Sequence, residues 1–423
     1  MNSGTPVANI ADAAWFGSAD LQSILTLLNA DGAQARIAGG AVRDTLMGKS
    51  VGDIDIATTL SPQEVMDRAE GAGIKSVPTG IEHGTITLVV NGKSYEVTTL
   101  RVDVVSHGRH AQVAFGVDWA MDAARRDLTM NGLYADAEGN VIDLVDGLAD
   151  INSKTVRFIG DAASRIEEDY LRILRFFRFF AWYGAGRPDP DGLRASARLK
   201  AGIAQLSAER IWSELKKLLS APDPSRALLW MRQSGVLSTV SPETEKWGID
   251  SIFGLVQAQA DLQWGDDALL RLMAIVPNDP ARMDTMAKRL RLSNGERKRL
   301  VQWALQERIS EDLSDIALRR LLYRGDPQAI IDKLRLQLSA SRTAAQSDDK
   351  ALHVAAKFSR LLKVAVQWKR PSFPLSGKDL QALGIAPGPA MGAALNSLEE
   401  AWVESNFALT RAQLLEKASE QVV

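Results

Sequence analysis

Between Arg36 and Thr59 the chain reads RIAGGAVRDTLMGKSVGDIDIATT, and the first half of this stretch predicts an abrupt change of backbone direction. Arg36-Ile37-Ala38 is β-compatible, the pair Gly39-Gly40 supplies a tight turn, and AVRDTLMG has helical character. A strand that turns at once into a helix start is a place to hold phosphate, because backbone N–H groups there lack partners. The second half alternates from Val51 to Thr58, so Asp53 and Asp55 share one strand face while Ile54 and Ile56 anchor the other in a core. Two carboxylates a few ångströms apart repel, and a divalent cation is the usual relief. Alone, such a pair would be two solvated aspartates on a surface strand. Preceded at this distance by GGAVRD, it predicts a metal-binding strand beside a phosphate turn.

Composition supports an oxygen-ligated metal. The chain has no cysteine, which excludes disulfides, thiolate catalysis and thiolate-bound zinc, and only four histidines, His83, His107, His110 and His353. Its 423 residues, 46% of them hydrophobic, can fill two to four structural units. No apolar run is long enough to cross a bilayer, and Met1 to Asp20 has neither a basic start nor an apolar core, so a soluble, cytoplasmic protein with no membrane partner is expected. The net charge of −2 hides an asymmetry: residues 1–153 hold 10 Lys and Arg against 20 Asp and Glu, and the remainder 40 against 32. An acidic front and a basic back suit a metal-dependent head joined to a region that meets a polyanion.

Outward from the opening stretch, leucines at helical spacing predict a helix from Ala19 to Asn29. Ser61-Pro62-Gln63-Glu64 is a helix start, with serine as N-cap and proline at the first helical position, and that helix ends near Gly71-Ala72-Gly73. GTITLVV and SYEVTTLRVD flank Asn91-Gly92, a strong hairpin signal. Glu96 lies either beside the two aspartates as a third carboxylate or on the surface as an ordinary cross-strand residue. SHGRHAQVAFGVDW predicts a mobile loop, Trp119 to Tyr134 a helix, and VIDLVDG a short strand. Beyond Lys154 the pattern is almost wholly helical, broken at 186–192, 220–225, 277–280 and 370–377.

Two further constellations follow, RRDLTMN at Arg125 to Asn131 and EDYLRILRFFRF at Glu168 to Phe179. In the second, Asp169, Arg172, Arg175 and Arg178 recur every three residues beside an apolar stripe of Leu171, Leu174, Phe177 and Phe180. One helix would thus present an aspartate followed by an arginine ladder. Arginines aligned on one side repel, so the ladder points to an anionic ligand.

GGAVRD, DIDIAT, TGIEHGT, YEVTTLR, RRDLTMNGLY and RIEEDYLRILRFFRF occur in the order and spacing of the class II tRNA nucleotidyltransferases. The chain resembles that family of CCA-adding enzymes, part of the polymerase-β-like superfamily shared with bacterial poly(A) polymerases. The resemblance covers most of the chain, with smaller echoes in RIWSELKKLL (210–219) and KRLRLSNGERKRL (288–300); Leu128 and Gly132 depart from it, standing where the family usually has Phe and Ala. It implies an α+β architecture: a mixed-sheet nucleotidyltransferase head at 1–153, a helical neck at 154–222, a body at 223–369 and a tail at 370–423. It further implies that Asp53 and Asp55 bind Mg²⁺, that Gly39, Gly40 and Arg43 hold the triphosphate, and that Arg126 and Asp127 contact sugar and phosphates. Asp169 and Arg172 would read the base, supported by Arg175 and Arg178. The implied substrates are CTP, ATP and the acceptor arm and 3′ end of tRNA.

The base-reading role that the resemblance implies is consistent with hydrogen-bond chemistry. Cytosine and adenine present an amino donor beside a ring-nitrogen acceptor, whereas uracil and guanine present a carbonyl beside an N–H. A carboxylate next to a guanidinium therefore matches C and A and mismatches U and G. In the back half, residues 282–299 hold seven Lys or Arg against two acidic residues, with Trp303 in the adjoining helix, a candidate surface for tRNA phosphates. Eight of ten tryptophans lie beyond residue 180 and are read as packing. A poly(A) polymerase with the same head, a partial CC- or A-adding enzyme and a non-catalytic RNA-binding protein are the competing readings.

Overall fold

The local signals close as chemistry requires. In the computed structural model, which describes residues 5–107, 110–244 and 249–420, the Ser61 side chain accepts from the backbone of Glu64 while the Glu64 carboxylate accepts from the backbone of Ser61. This capping box starts helix Pro62–Gly71. At the hairpin turn, Asn91 and Gly92 both take positive φ, 49° and 79°, so the connection twists with its strands.

The chain forms two compact units, Met1–Glu245 and Lys246–Val423. In the first, the strands are β1 (Pro6–Asn9), β2 (Ala35–Ala38), β3 (Asp55–Thr58), β4 (Lys75–Gly80), β5 (Thr85–Val90), β6 (Lys93–Thr99), β7 (Arg101–His107), β8 (His110–Phe115), β9 (Leu133–Ala135) and β10 (Asn140–Asp143). The helices are α1 (Ala19–Leu28), α2 (Gly40–Leu46), α3 (Pro62–Gly71), α4 (Trp119–Ala124), α5 (Gly147–Ser153), α6 (Ala162–Glu168), α7 (Leu171–Tyr183), α8 (Pro190–Leu199) and α9 (Ala208–Leu219), with two shorter helices at Ser225–Gln233 and Val236–Val240. Among the described residues, eight strands make one mixed sheet in the order β1-β10-β9-β2-β3-β6-β5-β4. β2 runs antiparallel to both β3 and β9, and β3 runs parallel to β6. All four residues of β2 are buried, as a central strand requires.

Two sequence expectations change here. Residues Arg101–His107 and His110–Phe115 pair as a separate antiparallel ribbon rather than forming a loop. Backbone pairing across the hairpin, from Arg101–Phe115 to His107–His110, outweighs the glycine and polar residues that suggested a loop. The helix expected over Trp119 to Tyr134 ends at Ala124, after which a short 3-10 turn at Thr129–Asn131 leads into β9. Tyr134 is thereby drawn into the sheet, where Ala38 is its partner.

α7 is the hydrophobic axis of the region after the head. Leu171, Leu174, Phe177 and Phe180 are buried as their spacing predicts, and so are Ile173, Phe176 and Phe179. Phe176 stacks on Phe158 at a centroid distance of 5.3 Å, adding aromatic contact to the burial of both rings.

In the second unit the regular elements among the described residues are all helices. One core gathers Leu318, Leu322, Ile330, Leu334, Phe358 and Leu361, and another gathers Leu380, Leu398, Trp402 and Leu414. Trp212, Trp303 and Trp402 are buried, as the packing role read for tryptophan expects, whereas Trp182, Trp230, Trp264 and Trp368 are half-buried. No helix among the described residues is long and apolar enough to cross a membrane.

Candidate active site

The site is built where the end of β2 and the start of β3 meet the middle of β6. Because β2 and β3 are antiparallel with Ala38 opposite Asp55, the chain leaves β2 into Gly39-Gly40 beside the point where it enters β3 through Asp53 and Ile54. The phosphate turn and the acidic pair are thus neighbours through strand register. Asp53 precedes the regular strand, which begins at Asp55, and both aspartates are exposed while Ile56 is buried.

The parallel pairing of β3 with β6 sets Glu96 directly across from Asp55, which answers the open question about this residue in favour of a neighbouring carboxylate. Although the Asp55 side chain reaches solvent, the protein packed around it desolvates the carboxyl, and this with Glu96 holds it above its ordinary value; Arg126 pulls the other way, and Asp53 adds to the rise. These side chains offer only oxygen, and their like charges repel one another. Among the described residues no three such side chains close on one point as a finished cage. An open set of carboxylates fits a hard divalent cation that takes its remaining ligands from water and substrate phosphate.

Gly39 adopts φ 63° and ψ −107°, a backbone conformation that side chains rarely take. A Cβ there would lie 3.3 Å from Arg126 Nη1 and 3.3 Å from the Asn131 carbonyl, so Arg126 sits against the turn itself. Arg126 is fixed from behind: its Nη2 donates to Asp122 Oδ2 at 3.1 Å and its Nε to the Tyr134 hydroxyl at 3.2 Å. The Tyr134 hydroxyl donates in turn to Asp122 Oδ2 at 2.7 Å. Burial raises the Asp122 carboxyl, but Arg126, Arg125 and the hydrogen bond from Tyr134 together lower it by more and leave the group below its ordinary value. Asp122 and Tyr134 hold Arg126 in place, a role that the sequence reading assigned to neither of them. Only the sheet topology that brings Tyr134 beneath α4 identifies them.

Arg43 is buried and largely engaged by protein. Its Nη1 donates to Asn131 Oδ1 at 2.5 Å, its Nη2 to the Tyr183 hydroxyl at 2.8 Å, and its Nε and Nη2 to the Asp44 carboxylate at 3.0 Å each. Together with Lys49, which donates to the Trp182 carbonyl at 2.6 Å, it ties the turn and α2 to the end of α7. Asp127 is also buried; it accepts from Arg175 Nε at 2.6 Å and from Asn131 Nδ2 at 3.2 Å.

The arginine ladder differs from its sequence reading in two respects. Asp169 is not on the same helix as the arginines: it caps the end of α6 with φ −156°, and α7 begins at Leu171. The ladder is also already compensated. Arg172 Nη1 meets Glu168 Oε2 at 2.5 Å, Arg175 pairs with Asp127, and Arg178 Nε lies 2.6 Å from Glu214 Oε2, an ion pair angled away from hydrogen-bond alignment. Asp169 itself accepts from Arg210 Nη2 at 2.6 Å. Carboxylates of other elements therefore supply the neutralisation that the ladder had suggested would come from a ligand.

The family model described as "Poly A polymerase head domain" matches residues 35–157, and that described as "Probable RNA and SrmB- binding site of polymerase A" matches residues 187–247. The mouse protein "CCA tRNA nucleotidyltransferase 1, mitochondrial" is 35% identical over 93% of this chain and 88% of its own length. The chain belongs to the CCA-adding tRNA nucleotidyltransferase family. A bacterial member, the "CCA-adding enzyme" of Limosilactobacillus fermentum, is 30% identical over 94% of this chain and 95% of its own. In fold, the chain is similar to the Bacillus stearothermophilus CCA-adding enzyme solved in complex with CTP, with a TM-score of 0.74, 24% identity and coverage of 95% and 97%. It is also similar to the Thermotoga maritima CCA-adding enzyme complexed with tRNA, with a TM-score of 0.66 and 19% identity over 95% of each chain. The departure at Gly132 has a local reason, since a Cβ there would stand 2.5 Å from Val145 Cγ2.

Proposed function

We propose that this enzyme adds the sequence CCA to the 3′ end of tRNA from CTP and ATP without a nucleic-acid template. The observation that carries the proposal is the convergence of Asp53, Asp55 and Glu96 with the Gly39 turn and Arg126, in a chain of this family. In the reaction, the tRNA 3′-hydroxyl oxygen attacks the α-phosphorus of the incoming nucleotide, the bond to the β-phosphate oxygen breaks, and pyrophosphate leaves.

Asp53 and Asp55 would hold Mg²⁺, with Glu96 as the adjoining carboxylate. When bound, Mg²⁺ neutralises charge on the reacting phosphate and aligns attacking and leaving oxygens. The turn at Gly39-Gly40 brings bare backbone against the triphosphate, and Arg126, held by Asp122 and Tyr134, faces the same turn with a fixed positive charge. Arg43 acts by bracing that turn against Asn131 and Tyr183, and Asp127 by bracing Arg175. Asp169 and Arg172 read the base. Leaving their polar groups unpaired against U or G costs on the order of 1–3 kcal/mol each, enough to select C and A. Arg175 and Arg178 support them from the same helix.

Cytoplasmic residence belongs to the same proposal; the vertebrate relatives are mitochondrial by name, and fractionation of cells expressing a tagged chain decides the compartment. The catalytic assignment is tested with Asp55→Asn, mixed with Mg²⁺, CTP, ATP and tRNA lacking its CCA end. Incorporation should fall to background while tRNA binding persists. Incorporation at the parent rate would remove Asp55 from the reaction.

A further inference from the structure

The proposed base reader Asp169 stands in an irregular link between two helices, where an aspartate would ordinarily rotate freely about both side-chain bonds. Here both its backbone and its carboxylate are held. The neighbouring Tyr170 ring lies directly on the backbone of Gly202, where an added Cβ would come within 2.1 Å of the ring. That contact fixes the path of the link. Oδ1 of Asp169 accepts from the Leu171 N–H at 3.1 Å, and Oδ2 accepts from Arg210 Nη2 at 2.6 Å.

Arg210 is itself held in place. The Ser207 hydroxyl oxygen caps α9 by accepting from the Arg210 backbone N–H at 3.4 Å, which sets Arg210 in the first turn of that helix. One turn on, Glu214 pairs with Arg178 of α7. Two ion pairs of opposite polarity therefore bind α9 to α7 and to the link before it, and Arg210 also borders an open cavity of 560 Å³ with Leu171, Ser207, Ser213 and Glu214.

We infer that Arg210 is a positioning residue for nucleotide choice, holding the Asp169 carboxylate in the one orientation that accepts from the amino group of cytosine or adenine. Each carboxylate oxygen keeps a second lone pair, so Asp169 can accept from a base while still held by Leu171 and Arg210. Selection against a base lacking that amino donor depends on a fixed acceptor. A carboxylate free to rotate avoids the mismatch by turning away, and discrimination falls. The inference rests on the base-reading role proposed above for Asp169.

The experiment measures kcat/KM for CTP, ATP, UTP and GTP with tRNA lacking its terminal nucleotides, in Arg210→Ala, Arg210→Lys and Asp169→Ala. Arg210→Ala should narrow the preference for CTP and ATP over UTP and GTP at least tenfold, and Arg210→Lys should recover most of it. If Arg210→Ala lowers all four values by the same factor, Arg210 only supports the fold and the inference is overturned. Should Arg210→Ala fail to fold, Arg210→Gln provides the same ratio, with the same two outcomes. Asp169→Ala separates the two levels: unaltered discrimination there removes the base-reading role itself, whereas relaxed discrimination there with an intact ratio in the Arg210 variants overturns the role of Arg210 alone.

Discussion

Asp55, the first residue of β3, and Glu96, on the parallel strand β6, occupy the same register position, so two carboxylates face one another beside the Gly39 turn. A divalent cation bound there would relieve their mutual repulsion. Glu96→Ala should therefore raise the Mg²⁺ concentration giving half-maximal activity about tenfold, the scale seen when a carboxylate supporting a metal site is removed. Binding of tRNA should be unaffected. A Mg²⁺ titration superimposable on that of the parent would place Glu96 outside the metal site.

The Gly39 turn tolerates no side chain without cost. Gly39→Ala must hold a Cβ at φ 63° and 3.3 Å from both Arg126 Nη1 and the Asn131 carbonyl, which costs roughly 1–3 kcal/mol of strain or displaces Arg126. Nucleotide incorporation should fall on the order of tenfold to a hundredfold with the circular dichroism spectrum unchanged. An alanine variant with parent kcat would show that the turn does not set the position of Arg126.

Acid stability of the first unit should depend on Asp127. Burial raises its carboxyl, but Arg175 together with hydrogen bonds from Asn131 and the Leu128 backbone lowers it by more and leaves it below the ordinary value. A depressed folded value means the stabilisation is present above the unfolded value of about 4 and is lost as pH falls through the folded one. Between about pH 5 and about pH 3, the thermal midpoint of the parent should drop more steeply than that of Asp127→Asn. Parallel curves would contradict the pairing.

The basic stretch 282–299 divides into structural and surface charges. Arg299 donates to Asp332 through Nε and Nη2 at 2.8 Å each and to Asp267 through Nη2 at 2.5 Å, and Asp332 is fully buried. Arg299→Ala leaves that carboxylate uncompensated and should cost about 3–5 kcal/mol in urea unfolding. Lys298 is exposed; Lys298→Ala should change stability by less than about 0.5 kcal/mol and reduce the salt dependence of tRNA binding by about one unit of slope. Equal stability losses in the two variants would contradict this division.

What was legible in the sequence follows the reach of each signal. The capping box of α3, the Asn91-Gly92 turn and the apolar stripe of α7 are local, and each took the form its residues demand. The Arg175–Asp127 and Arg210–Asp169 pairs join residues 48 and 41 positions apart, and no periodicity announces them. That is why the ladder looked uncompensated. Similarly, EEDYLRILRFF continues a helical pattern through Asp169, and the break arises from tertiary packing of Tyr170 on Gly202. The position of Glu96 required the parallel pairing of β3 with β6, which the sequence left open because either face of a strand could carry it.

The most direct test sequences the products formed by purified protein, Mg²⁺, all four nucleoside triphosphates and a tRNA ending before CCA. The account predicts addition of C, C and A, no incorporation of U or G, and no further extension. Long adenosine tails, or no incorporation at all, would contradict it.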